Sequence, residues 1–68
     1  MSLSIKLNGE ARDLPRPMTV QELLVTFKLE AKKIAVERNL EIVPRSAYDT
    51  IMVEDGDRLE IVRFVGGG

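Results

Sequence analysis

Apolar and polar residues alternate at the start of the chain. Leu3, Ile5 and Leu7 share one side, and Ser4 and Lys6 the other, the period-two pattern of a strand with one buried face. Asn8-Gly9 follows, a strong hairpin signal because both residue types tolerate positive φ. Glu10 to Leu14 then predicts a short return strand, and Pro15 and Pro17, which cannot donate to a ladder, end it. Beyond the prolines the period changes. Val20, Leu23, Leu24 and Phe27 recur at i, i+3, i+4 and i+7, one apolar helical stripe. Thr19 with Glu22 three residues on makes a capping box, and Met18 with Leu23 a hydrophobic staple. Gln21, Glu22 and Lys28 fall outside the stripe, and Lys28, Lys32 and Lys33 lie at or just past the helix end, where cations suit the dipole.

The second half returns to strand patterning. Ile34 to Glu37 predicts a strand, Asn39 a turn, and Glu41 to Val43 a short strand stopped by Pro44. Arg45 to Thr50 reads as irregular or one helical turn. Ile51-Met52-Val53 leads into an Asp55-Gly56-Asp57 turn, and Arg58 to Val65 is the longest strand pattern. The order is β-β-α-β-β-β. A single amphipathic helix needs one sheet face to pack on, so the expected class is α+β: a mixed sheet of four to five strands in two layers with one helix. Residues 1–65 are expected to form one domain, with 66–68 a flexible glycine tail.

Composition narrows the functions open to such a fold. The chain has 68 residues and neither histidine nor cysteine nor tryptophan. Disulfides and Cys/His metal sites are therefore absent, as are a cysteine nucleophile and a serine with a histidine base. Ten Lys and Arg against eleven Asp and Glu leave a net charge of −1, which argues against nucleic acid and anionic membrane as partners. Leu, Ile, Val and Phe together are 22 of the 68 residues, well above the roughly 20% below which disorder is expected. No apolar run approaches a membrane span. Residues 1–8 lack a signal-peptide core, so a cytoplasmic location is expected.

Few residues invite chemistry. Glu54, Asp55, Asp57 and Glu60 cluster, but they lack a calcium-loop spacing, and Asp-Gly is ordinary turn chemistry. Nothing in the pattern marks them as buried, so acid–base work is not expected of them. Tyr48, the one tyrosine, is expected to cap a core edge with its hydroxyl in water. No catalytic residue and no metal ligand is assigned. The last strand is more informative. Leu59 and Ile61 should face the helix, which leaves Glu60, Val62 and Phe64 on the uncovered face. Val62 and Phe64 would lie about 7 Å apart along the strand, an exposed apolar pair of the kind that marks a partner surface. Arg45 is a further candidate contact. The chain then runs into Gly66-Gly67-Gly68. Three glycines reach at most roughly 10–11 Å, and without side chains they can enter a narrow channel in any backbone conformation. A carboxylate on the last of them is a plausible substrate for another enzyme.

The Asn8-Gly9 hairpin, Thr19-Val20 with Leu23-Leu24, Ala35-Val36-Glu37 with Asn39, Ile42-Val43-Pro44-Arg45, Asp55-Gly56-Asp57 and Val65-Gly66-Gly67-Gly68 occur in one order. Together they resemble the ThiS family, the sulfur carriers of bacterial thiamin biosynthesis, over nearly the whole chain. The resemblance implies the ubiquitin-like β-grasp fold and a carrier rather than an enzyme. It implies a ThiF-like adenylating partner that uses ATP and Mg²⁺ to activate the terminal carboxylate, with no cofactor bound by the carrier itself. A sulfur donor fed by a cysteine desulfurase would then give a thiocarboxylate, and the thiazole synthase ThiG would take up the sulfur. Carried onto this sequence, Gly68 is the modified residue, with Gly67 and Gly66 as its tail. The family's minimal motif has two glycines where this chain has three, so Gly67 is the modified residue if Gly68 is not native.

Three alternatives stay open at this point. A MoaD-like carrier for molybdopterin synthesis also ends in Gly-Gly. A ubiquitin-like modifier would use the same terminus for an isopeptide bond. A plain β-grasp interaction domain would use Val62 and Phe64 alone.

Overall fold

The structure, a computed structural model, describes residues 2–64. β1 (Leu3–Leu7) and β2 (Glu10–Leu14) form the predicted antiparallel hairpin, in register from Leu3 opposite Leu14 to Leu7 opposite Glu10. Asn8 and Gly9 both take positive φ, 51° and 83°, the turn whose twist suits a two-residue hairpin. β3 (Met18–Thr19) runs into α1 (Val20–Thr26). A 3-10 turn (Ala31–Lys33) leads to β4 (Ile34–Arg38), then β5 (Glu41–Val43) and a second 3-10 turn (Arg45–Ala47). β6 (Met52–Val53) and β7 (Arg58–Arg63) complete the described fold.

Five strands make one mixed sheet in the order β2-β1-β7-β4-β5. β7 is its middle strand, parallel to β1 and antiparallel to β4. The expected five-strand sheet with one helix is present, with one addition. β3 and β6 pair with each other in a separate two-stranded ladder, Met18 opposite Val53 and Thr19 opposite Met52. Two residues per strand are too few to produce a visible alternation. The last strand also ends at Arg63 rather than Val65, and Phe64 follows it.

The helix begins as its sequence dictates. The Glu22 amide donates to Thr19 Oγ1 at 3.1 Å and the Thr19 amide to Glu22 Oε1 at 2.9 Å, the reciprocal capping box. The bond from the Thr19 amide, assisted by Arg16, holds the Glu22 carboxyl below its usual range. Val20, Leu23 and Leu24 are buried, while Phe27 caps the C-terminus and is half-buried. α1 ends at Thr26, so Lys28 lies just past its end, and Lys32 and Lys33 stand further on, in the following 3-10 turn.

The core lies between α1 and one face of the sheet. It takes Leu3 and Ile5 from β1, Leu14 from β2, Ile34 and Val36 from β4, Val43 from β5 and Leu59 from β7, against Val20, Leu23 and Leu24. Burying each of these large side chains contributes roughly 1.5–3 kcal/mol, which is how a seven-residue helix, marginal alone, is held. Tyr48 belongs to this core at 4% exposure, further inside than the edge position expected of it. No helix among the described residues is long and apolar enough to cross a membrane.

Candidate functional site

Phe64 and the glycines follow β7 in the chain, so the anchoring of β7 fixes the root of the tail. On one side, alternate amides of β1 and of Asn8 just past it reach across to β7 and the turn before it. Ser4 donates to Asp55 Oδ1 at 2.7 Å, Lys6 to the Asp57 carbonyl at 3.0 Å and Asn8 to the Leu59 carbonyl at 2.8 Å. β1 turns away at Asn8, yet the Asn8 side chain extends the ladder by one step. Its Oδ1 accepts from the Ile61 amide at 2.7 Å and its Nδ2 donates to the Ile61 carbonyl at 3.4 Å. On the other side β4 pairs with β7 from Ile34 opposite Arg63 to Arg38 opposite Leu59. Asn39, just past β4, accepts from the Arg58 amide through Oδ1 at 3.0 Å and donates its own amide to the Arg58 carbonyl at 2.8 Å. Both turn asparagines thus clamp β7, a role their turn propensity alone does not reveal.

Asp57 is the polar counterpart of the core, and its burial corrects the expectation of a solvated acidic turn. Its Oδ2 accepts from Arg38 Nε and from the Glu54 amide, both at 2.8 Å, and its Oδ1 from Asn39 Nδ2 at 3.1 Å. Burial alone would raise its carboxyl. The bonds from Arg38, the Glu54 amide and Asn39 outweigh that and hold it below the ordinary Asp value. The same bond to Asp57 raises the Arg38 guanidinium, against its own partial desolvation. Asp57 and Asp55 are thus engaged within the fold, and among the described residues no three carboxylates converge to hold a metal.

The uncovered face of the sheet is built from the alternate residues. On β7, Leu59 is buried toward the helix while Val62 is 57% exposed, as the alternation predicts; Phe64, just past the strand, is 53% exposed. The register puts Val62 opposite Ala35 of β4, and Ile42 of β5 opposite Glu37, two residues further along β4. Ala35 and Ile42 are therefore diagonal neighbours, about 7–8 Å apart, and Val62, Ala35 and Ile42 form one apolar stretch across three strands. Ile42 is exposed. Its signal was present in the sequence, because Val43 must face the core and its neighbour must then face away. Arg45 is exposed in the turn after β5. β5 and β7 both run antiparallel to β4, so the chain passes to Arg45 and to Phe64 at the same end of the sheet, two strands apart. Gly66, Gly67 and Gly68, including the residue expected to be modified, lie outside the described residues.

This arrangement offers no enclosed cavity and no pair of groups placed for catalysis among the described residues. It offers an apolar stretch on the uncovered face, Arg45 at one end, and a strand that precedes the glycines in the chain. The sequence matches the ThiS family over residues 5–68. It is 48% identical over 50 residues to the sulfur carrier protein ThiS of Bacillus subtilis, covering 74% of this chain and 76% of that one. A thiazole synthase of Paramagnetospirillum magneticum is 52% identical over 66 residues, 97% of this chain. The chain spans 20% of the length of that protein. The crystal structure of a thiamine biosynthesis protein (ThiS) from Geobacter metallireducens superposes with a TM-score of 0.85 at 35% identity, covering 97% of this chain and 100% of that one.

Proposed function

The chain belongs to the ThiS family, and from that membership we propose that it is a sulfur carrier of thiamine biosynthesis whose terminal glycine bears the sulfur. The observation that carries this reading is the extent of the family match, residues 5–68, which takes in the β-grasp sheet and the Gly66-Gly67-Gly68 tail together. The names of its relatives in Bacillus subtilis and Geobacter metallireducens support the thiamine branch over the molybdopterin one.

The chemistry follows from what a carboxylate lacks. It resists nucleophilic attack because attack adds charge to an anion. An adenylating partner with ATP and Mg²⁺ would let the Gly68 carboxylate attack the α-phosphate and release pyrophosphate, the metal neutralising phosphate charge. The terminal sulfur of a desulfurase-derived persulfide then displaces AMP from the acyl-adenylate to give an acyl disulfide. A thiol cleaves its S–S bond, forming a disulfide with the donor sulfur and releasing the thiocarboxylate. With no cysteine in the chain, the terminal acyl group is the place for sulfur, and the catalytic groups belong to the partners. The thiazole synthases that contain a similar stretch support thiazole synthase as the acceptor, since joining carrier and acceptor in one chain raises their effective concentration.

Val62 and Phe64, with Ala35 and Ile42, are the surface on which these partners dock, and Arg45 borders it. The test is an intact mass after incubation with ATP, Mg²⁺, a ThiF-type adenylating enzyme, a cysteine desulfurase with cysteine as the sulfur source, and a thiol reductant. The expected result is replacement of one oxygen by sulfur, located on the last residue and absent after deletion of Gly67 and Gly68. No mass change with demonstrably active partners overturns the reading.

A further inference from the structure

At the end of β7 an open notch of about 320 Å³ lies between Phe64 and the connection from α1 to β4. Leu29, Ile34 and Phe64 supply its apolar lining, and Lys28, Lys33 and Arg63 its charge. The net charge of −1 conceals this concentration. Residues 28–34 and 63–64 hold four of the chain's ten Lys and Arg, Lys32 being the fourth, against a single carboxylate, Glu30. Glu30 is engaged by Lys33 at 3.0 Å. Among the described residues no carboxylate pairs with Lys28 or Arg63.

Lys28 also stands where the backbone favours another residue. The Leu29 amide donates to the Leu24 carbonyl at 2.8 Å and the Lys28 amide to the Val25 carbonyl at 3.0 Å, the two bonds of a Schellman helix end. Lys28 occupies its left-handed position at φ 59°, which glycine fills most often because it has no Cβ to clash. The fold would be served as well or better by glycine, so helix termination does not account for the lysine side chain at the lip of the notch.

We propose that this notch receives an acidic segment of the adenylating enzyme that acts on the glycine tail, with the two unpaired cations meeting its carboxylates and Phe64 an apolar neighbour of them. The proposal rests on the carrier reading above. Charge complementarity selects the occupant. Four residues separate Phe64 from the end of Gly68, up to roughly 13–14 Å of chain, so the notch would lie at the mouth of a channel that admits the glycines rather than at the reacting carboxylate. A protein rim suits that distance better than the phosphates of the nucleotide. Complementary charge at such a rim steers encounter and raises the on-rate, with strong salt dependence.

The experiment compares pyrophosphate exchange by a purified ThiF-type enzyme on three carriers spanning residues 1–68: the unaltered chain, Lys28→Gly/Arg63→Gln, and Arg12→Gln/Arg16→Gln. The last removes the same charge from β2 and the loop after it, at the other side of the sheet. The notch variant should raise KM for the carrier by about tenfold or more at low ionic strength, with kcat unchanged and the gap closing as salt is added. Its unfolding midpoint should be unchanged or higher, because Lys28→Gly relieves the left-handed position. The β2 variant should stay close to the unaltered chain. Equal KM changes in both variants, or none in the notch variant, overturn the proposal while leaving the carrier reading intact. No exchange with the unaltered chain overturns both.

Discussion

Leu59 and Val62 sit three residues apart on one strand, at 1% and 57% exposure. Leu59 closes the core beneath α1, while Val62 opens onto solvent opposite Ala35 of β4. Apolar residues stand on both faces, sparsely on the uncovered one among Ser4, Lys6, Glu37 and Glu60, and the helix-side set is the one buried in the core. An apolar side chain left in water gains nothing from the native state. Single exposed apolar residues are ordinary, but Val62, Ala35 and Ile42 are brought together by register across three strands. The contrast teaches that hydrophobicity on the helix side stabilises this molecule, whereas on the other side it awaits a partner.

The comparison can be broken first where the effect is largest. Leu59→Ala should lower the unfolding free energy by about 2–5 kcal/mol, read as a fall in the urea midpoint at unchanged slope. Removing the polar anchor comes next. Asp57→Ala leaves Arg38, Asn39 and the Glu54 amide without their acceptor and should cost about 1–3 kcal/mol. Asp57 also sets an acid limit. Its carboxyl titrates lower in the folded chain than the ordinary 3.8, so the folded state binds fewer protons than the unfolded one. That stability is present above the ordinary value and is lost as pH falls through the folded one. Urea titrations at successive pH values should show this loss in the unaltered chain and a shallower one in Asp57→Asn. Thr19→Ala removes one half of the capping box and should cost about 1 kcal/mol. At the small end, Val62→Asp and Phe64→Asp on the uncovered face should move stability by no more than about 0.5 kcal/mol. They should nonetheless weaken turnover by the partner enzymes.

Much of this frame was legible in the sequence, because its signals are local. The Asn8-Gly9 turn, the Thr19–Glu22 box and the alternation of β1 and β7 each depend on residues a few positions apart, and each folds as read. What stayed hidden depends on distance along the chain. Asp57 reads as a turn residue, since its burial is created by Arg38 and Asn39, about twenty residues away. β3 and β6 are two residues each and exist only as each other's partner. Asn39 is visible as a turn, but Leu40 beside it at φ 73° is not, because leucine gives no hint of a left-handed backbone. Of the candidate site, Val62 and Phe64 could be assigned to a face from their own strand. Adding Ile42 required the β4–β5 register, and the basic notch required the fold that brings Lys28 to Arg63.

The division of labour between the two faces is tested most directly by two readings on Val62→Asp: its urea midpoint and its KM as substrate of the adenylating enzyme. The account predicts a midpoint within error of the unaltered chain and a clearly raised KM. A lowered midpoint with an unchanged KM would place Val62 with Leu59 in the service of folding and contradict it.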